Sequence, residues 1–474
     1  MKKLVIAAPK SGSGKTILTC GLLELLKRKH IPTASFKCGP DYIDPLFHKR
    51  IIGVESRNLD SFFESPEGLK KAFWCGCQGK ENGFALIEGV MGYFDGLGGI
   101  SPAASTYETA EILKAPVILT VDARGSSLSL AALIQGFLNY IPLEAGKTEE
   151  RKSRIKGVIL NQVSPMIYPR LKKLLESELK IKVAGYIPHL DFLQIESRHL
   201  GLVLPDEIGN LKEQIQRLAD VLEETLDWNC IMELAEEEEI HDWNRINKKP
   251  AKPFRLGVAL DEAFCFYYEE NLNAMKEQGA SLEYFSPLHD KELPGDLDGL
   301  LLGGGYPELY ADKLAENETM RASVYEAARS GMAIHGECGG YLYLLETLQG
   351  ADGKCYPMCG VFKGSGQKGT RLGNFGYITL KARGDSCFFK EGTEIKAHEF
   401  HYWKAEETEE RTEHAVMDAV KPMVSRRWAA MEQRGCTLAG FPHFYYRSCP
   451  EFAEKFAAAC INYQKSRESV RRWK

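Results

Sequence analysis

The sequence predicts two α/β domains in tandem, the first built on a mostly parallel sheet. Three observations predict this. Short apolar runs alternate with amphipathic stretches through the first half of the 474 residues, and strands alternating with helices give a parallel sheet covered on both faces. A charge- and proline-rich segment interrupts the rhythm between Asn229 and Pro253. The rhythm then restarts near Phe254. A chain of this length holds two large domains or three small ones, at roughly 100–200 residues each.

In chain order, Leu4–Ala8, Phe84–Ile87, Val117–Val121, Gly157–Leu160 and Val183–Ile187 read as buried strands, with Thr16–Arg28 and Pro169–Leu179 as amphipathic helices. They are expected to form a domain over residues 1–228. Residues 229–253 read as a solvated linker, because the acidic run Glu236–Glu239 is followed by Lys248, Lys249, Pro250 and Pro253. Over residues 254–474 the strand candidates are Leu256–Leu260, Leu282–Phe285, Gly299–Leu302 and Met332–His335. No repeat of solenoid period is present.

Composition narrows the function classes. A hydrophobic content of 44% with 26% charged residues is ordinary for a globular protein. A net charge of −5 gives no electrostatic pull toward nucleic acid or an anionic membrane, and neither is an expected partner. No apolar run approaches the roughly 20 residues of a membrane helix. Two lysines precede an apolar stretch at the N-terminus, as in a signal peptide, but that stretch runs at once into a glycine-rich loop. It reads as a first strand, and the expected location is the cytoplasm. The 13 cysteines are odd in number and scattered, which favours reduced thiols. Cys75-Gly-Cys77 and Cys355-Tyr-Pro-Met-Cys359 lack the paired spacing of a zinc site.

The first constellation is Lys10-Ser-Gly12-Ser-Gly14-Lys15-Thr16, which follows a strand and opens a helix. That context suits a phosphate-binding loop. Gly12 and Gly14 let the backbone curl so that N–H groups point at phosphate oxygens, Lys15 reaches the terminal phosphates, and Thr16 can ligate Mg²⁺. Pro9 stands where the strict pattern has its first glycine, so the loop is a variant. Lys10 lies five residues before Lys15, where MinD- and ParA-like ATPases carry a signature lysine; a surface lysine in a loop is the alternative. Glu88 ends a buried strand, where a Mg²⁺ ligand belongs beside such a loop. Asp95 follows it, and Asp41 and Asp44 occupy a second Gly/Pro-rich loop, where aspartates also serve as turn formers.

Longer motifs make the reading specific. Phe36–His48 (FKCGPDYIDPLFH) and Ile87–Gly96 (IEGVMGYFDG) resemble the cobyrinic acid a,c-diamide synthase family, in the dethiobiotin-synthetase-like P-loop group. Arg198-His-Leu-Gly-Leu202 and Asp261–Tyr268 are similar to that family's motifs, and the resemblance runs along the whole chain. It implies ATP and Mg²⁺ at Lys15, Thr16 and Glu88, with Asp41 as a further ligand. Asp41, Asp44 and Asp95 would surround the transferred phosphate and the substrate carboxylate. Asn161 would read the adenine base; its other reading is a polar strand end.

The second constellation is Ile334-His-Gly-Glu-Cys338-Gly339-Gly340, a cysteine between glycines at a strand end. A nucleophile on a sharp strand-to-helix turn needs small neighbours, and the N–H groups after it point at a developing oxyanion. Gly303-Gly304-Gly305-Tyr-Pro-Glu308 looks like the partner loop. Together these resemble the class I glutamine amidotransferase domain, which implies a flavodoxin-like fold, Cys338 as nucleophile, His443 as base and an oxyanion hole at Gly304, Gly305 and Gly339. Ordinary members of that class place a glutamate two residues after the histidine, where this chain has Tyr445. The expected site is therefore a Cys–His dyad, with the group that orients His443 left open. His398 and His401 form a rival cluster, but on a strand residues three apart point to opposite faces, which argues against a shared metal. The motif is similar to one in the family's glutaminase domain, and that resemblance implies structural support or domain contact.

The expected activity is ATP-dependent amidation of a corrin-type tetrapyrrole at its a and c acetates, with L-glutamine or ammonia as nitrogen source, in cobalamin biosynthesis. Hydrogenobyrinate and nickel-sirohydrochlorin are alternative substrates, and cobyric acid synthase is a more distant relative. A MinD/ParA-like ATPase would share the phosphate loop but would not need Cys338 and His443, and a cysteine peptidase would leave that loop without purpose. A homodimer fits this reading.

Overall fold

The computed structural model describes residues 1–142, 153–193, 208–238, 252–406, 411 and 413–472. The family-like segment at 198–202 lies outside them. The chain divides into two compact units, Met1–Asn244 and Arg245–Lys474.

In the first unit seven parallel strands form one sheet, in the order Ser56–Leu59, Thr33–Cys38, Phe84–Glu88, Lys2–Ala7, Val117–Asp122, Ile155–Asn161 and Lys182–Ile187. Helices Pro66–Cys77, Thr106–Leu113, Ser129–Asn139 and Tyr168–Leu179 contribute to the core on one face. Lys15–Arg28 and Ile208–Thr225 contribute to that on the other. Burial on both faces is why five of the strands read as unbroken apolar runs; Ser56–Leu59 and Thr33–Cys38 carry polar residues and do not. Because the strands are parallel, the loop after Ala7, the loop after Cys38 and the end of Phe84–Glu88 emerge at one edge, where ligands bind in such sheets.

The segment after Asn229 departs from the linker reading. Residues 228–234 form a helix, which buries Cys230 and Ile231 in the first unit's core. Glu236–Glu237 then adds an antiparallel strand against Lys2 and Lys3. The acidic run is held by charge: Lys2 lies 3.6 Å from Glu237, and the buried Lys3 ammonium pairs with Glu238.

The second unit carries a ten-stranded mixed sheet. Five parallel strands run Ala280–Phe285, Phe254–Ala259, Gly299–Leu302, Ala333–Glu337 and Thr437–Gly440; the first four match the restarted rhythm, and Thr437–Gly440 was not among the strands expected. Five antiparallel additions extend it: Arg427–Arg434, Ala415–Val420, Phe375–Ala382, Glu394–Phe400 and His443–Phe444. Sequence reading missed these additions. Strands such as Glu394–Phe400 and Ala415–Val420 alternate buried with half-buried or exposed residues instead of presenting an apolar run. The long helix Pro450–Arg472 sets Phe452, Phe456 and Cys460 into the core.

Candidate active sites in the two units

The phosphate loop of the first unit is shaped by its glycines and by a distant amide. Gly12 and Gly14 have φ of 74° and 97°, in the left-handed region that favours glycine. A Cβ on Gly14 would stand 2.2 Å from Asn161 Nδ2. That Nδ2 donates to the Ser13 carbonyl at 2.9 Å, so Asn161 anchors the loop from the end of its strand. Its Oδ1 has no hydrogen-bond partner among the described residues.

Lys15 is buried, with its ammonium on the Met91 carbonyl and 3.5 Å from that of Lys10. Burial, aided by Lys37, lowers its pKa to about 8. Thr16 Oγ1 donates to Glu88 Oε1 at 2.6 Å. The fully buried Glu88 also accepts from Lys37 Nζ at 2.8 Å, and its second oxygen lies 3.5 Å from His48 Nε2. Lys37 also pairs with Asp44. Burial pushes the Glu88 carboxyl up, but Lys37 and His48 outweigh it and hold the group below the usual carboxylate range. Burial wins at Asp44, which is pushed well above that range despite Lys37. Two carboxylates around one ammonium are thus unequal, and Glu88 carries the firmer charge.

Lys37 and His48 were missed as site residues, although both lie within the Phe36–His48 motif. A lysine inside an otherwise buried strand was the available signal for the first. Asp41 Oδ1 accepts from the N–H groups of Ile43 and Asp44, at 2.8 and 3.2 Å, and Asp95 Oδ2 accepts from Gly92 N–H at 3.0 Å. Both therefore form turns at this edge, in addition to any contact with a ligand. Among the described residues no group of three or more His, Cys, Asp or Glu is arranged to hold a metal. Mg²⁺ needs no such group where phosphate and water supply most ligands. The touching Thr16 hydroxyl and Glu88 carboxylate fit it; Asp41 has one oxygen committed to its own turn.

In the second unit Cys338 sits at φ 50° and ψ −101°, between the strand Ala333–Glu337 and the helix Gly339–Leu344. A side chain held there is strained, as at other nucleophile elbows. Cys338 N–H donates to Gly440 O at 2.7 Å. Gly440 ends a parallel strand three residues before His443, so strand pairing delivers the histidine to the cysteine's neighbourhood. A Cβ on Gly304 would lie 2.4 Å from His443 Cε1, and one on Gly339 would lie 3.0 Å from Gly305 N. The glycines expected to form the oxyanion hole therefore meet, and Gly304 makes room for the imidazole. Tyr267 supports this loop, donating to Ala259 O and accepting from Gly303 N–H at 2.9 Å. Sequence reading gave Tyr267 no role.

Burial raises the Cys338 thiol and lowers His443 to about 3. Glu308 is pushed up to about 7, also by burial. His398 lies opposite His443 in the strand pair, with its ring edge-on to Phe375 and Tyr377. His401 lies just past that strand, stacked on Phe441 at 3.8 Å, with Nε2 2.8 Å from Glu399 Oε1. The two have different neighbours, and His401 makes a buried imidazole–carboxylate pair. Tyr445 is buried edge-on against Tyr268.

Comparison with known proteins agrees with both units. Residues 4–203 match the family model described as a CobQ/CobB/MinD/ParA nucleotide binding domain, and residues 255–449 match a CobB/CobQ-like glutamine amidotransferase domain. The chain is 37% identical to a cobyrinate a,c-diamide synthase of Listeria innocua, over 95% of this chain and 97% of that protein. It is 36% identical to one of Clostridium tetani, over 95% and 98%. It is 37% identical to one of Streptococcus sanguinis, over 94% and 96%. Similarity of this extent, end to end and through both units, places the chain in the cobyrinate a,c-diamide synthase family of glutamine-hydrolysing ligases.

Proposed function

We propose that this chain amidates the a and c acetate carboxylates of cobyrinate, using ATP and L-glutamine or ammonia, in cobalamin biosynthesis. A carboxylate at neutral pH is a very poor electrophile, so ATP first converts it to an acyl phosphate, which ammonia attacks. Lys15, the loop N–H groups and the N-terminus of the helix Lys15–Arg28 hold the nucleotide phosphates. Mg²⁺ bound at Thr16 and Glu88 would supply charge neutralisation on the phosphates. Asp44 and Asp95, with Asp41, border the phosphoryl-transfer region, and Asn161 Oδ1 faces the base.

In the second unit Cys338 forms a γ-glutamyl thioester as the amide C–N bond breaks, and His443 carries the thiol proton to the departing ammonia. Water then releases glutamate. Gly304, Gly305 and Gly339 stabilise the tetrahedral oxyanion.

The observation that carries this reading is the coexistence of two complete constellations in one chain. Thr16 touches Glu88 behind a phosphate loop, and Cys338 stands on a strained elbow with His443 against Gly304. The relatives' names supply the macrocycle. The test is mass spectrometry after incubation with ATP, Mg²⁺, glutamine and a panel of cobyrinate, hydrogenobyrinate and nickel-sirohydrochlorin. Two successive replacements of hydroxyl by amino on cobyrinate are expected. No mass change on any tetrapyrrole acid would sink the proposal.

A further inference from the structure

A carboxylate reaches the His443 ring from the residue beside the nucleophile. Glu337 Oε2 lies 3.7 Å from His443 Nδ1, and its Oε1 accepts the Phe444 N–H at 3.0 Å. One carboxyl group therefore grips the backbone just past the histidine and faces the imidazole with its other oxygen. Both side chains are buried, and the arrangement is fixed by backbone: Glu337 pairs with Gly440 in the parallel ladder.

The same segment is clamped from other directions. Asn271 Nδ2 donates to Phe444 O at 2.7 Å and its Oδ1 accepts from Tyr446 N–H at 2.8 Å. Gly304 abuts the ring, and His398 lies opposite in the strand pair. The groups facing the Glu337 carboxyl are His443, His335 with Nε2 3.8 Å from Oε1, the Tyr267 and Tyr446 hydroxyls, and Cys338 next to it in the chain.

We propose that Glu337 is the positioning residue of the glutaminase dyad, orienting His443 through Nδ1 and holding the imidazolium that forms when Cys338 gives up its proton. This rests on the Cys338–His443 reading above. It supplies from the nucleophile strand the carboxylate that Tyr445 does not supply from the histidine strand. With Glu337 ionised, Nδ1–H is directed at its carboxylate, and the thiol proton passes from Sγ to Nε2 and leaves with ammonia as the Sγ–carbonyl bond forms and the C–N bond breaks. Burial raises Glu337 to about 8 and lowers His443 to about 3, so both are neutral in the resting site near pH 7. Ionising Glu337 puts a negative charge beside Nδ1 and makes the imidazole a stronger base. Base strength therefore rises with pH through the Glu337 titration.

The test is the rate of Cys338 alkylation by iodoacetamide in the full-length chain, followed by mass spectrometry from about pH 6 to about pH 9. Wild type is expected to show an inflection near pH 8. Glu337→Gln keeps an acceptor for Phe444 N–H, yet should lose that inflection and react at least about tenfold more slowly near pH 8. Its kcat for glutamine hydrolysis should fall in parallel, with KM within about threefold. Glu337→Asp, which retains the charge, should recover part of the loss. Superimposable profiles for wild type and Glu337→Gln, with a slower His443→Asn, overturn this inference and leave the dyad standing. An unchanged His443→Asn profile overturns the dyad itself. If Glu337→Gln does not fold, as judged by near-ultraviolet circular dichroism, the wild-type profile decides: lack of an inflection near pH 8 overturns the proposal.

Discussion

Lys37 lies directly opposite Glu88 across two neighbouring parallel strands, and its ammonium reaches the carboxylate at 2.8 Å. Lys37 also pairs with Asp44, so one ammonium bridges two buried carboxyl groups beside the phosphate loop. Removing it takes the nearest cation from the buried Glu88 charge and from the Asp44 carboxyl. Lys37→Met should destabilise the first unit by about 3–5 kcal/mol, the usual cost of breaking a buried pair from one side. Urea unfolding of the variant against wild type checks this, and a change under about 1 kcal/mol would count against the network.

Glu88 is the carboxylate that Thr16 touches, and it has the firmer charge of the pair. Glu88→Gln preserves shape and an acceptor for the Thr16 hydroxyl but removes that charge. Amidation should fall on the order of 100-fold, and the Mg²⁺ concentration for half-maximal rate should rise. A Mg²⁺ titration of amidation reads both.

The two units should be separable by mutation. Cys338→Ala is expected to abolish glutamine-dependent amidation while ammonium still serves as donor. Lys15→Ala should stop amidation from either source while basal glutaminase survives. Ammonia and glutamate release, assayed with and without ATP, distinguish the cases; loss of both nitrogen sources in Cys338→Ala would contradict the two-site proposal.

Glu337 also predicts a pH dependence of stability. Its folded pKa is raised by burial from 4.5 to about 8. A carboxyl shifted upward contributes stability that is fully present below its unfolded value and lost as pH rises through the folded one. Over that window the loss runs at up to about 1.4 kcal/mol per pH unit. Glu337→Gln removes this slope, so its stability relative to wild type should improve from about pH 5 to about pH 8. Unfolding midpoints measured across that range check the sign.

Much of both sites was legible because their chemistry is local. Lys15, Thr16, Glu88, Cys338 and the surrounding glycines each lie in a motif a few residues long, where strand, turn and reactive group are written side by side. His443 was legible from its motif after the Cys338 elbow had been recognised. The strand rhythm likewise predicted most of the parallel strands of both sheets, since burial on two faces demands unbroken apolar runs; Ser56–Leu59 and Thr437–Gly440, with polar residues or too few apolar ones, gave no such run.

Tertiary structure decided who meets whom. The strand Phe84–Glu88 lies between Thr33–Cys38 and Lys2–Ala7, an order the chain does not spell out, and only that order sets Lys37 and Thr16 on one carboxylate. Strand pairing turns the Glu337 carboxyl onto His443 from more than a hundred residues away. It also brings Lys2 and Lys3 against the acidic run that composition assigned to a linker. A residue's type and immediate neighbours determine what it can do. Its partner is set by strand order and register, where a one-residue slip turns every side chain to the other face.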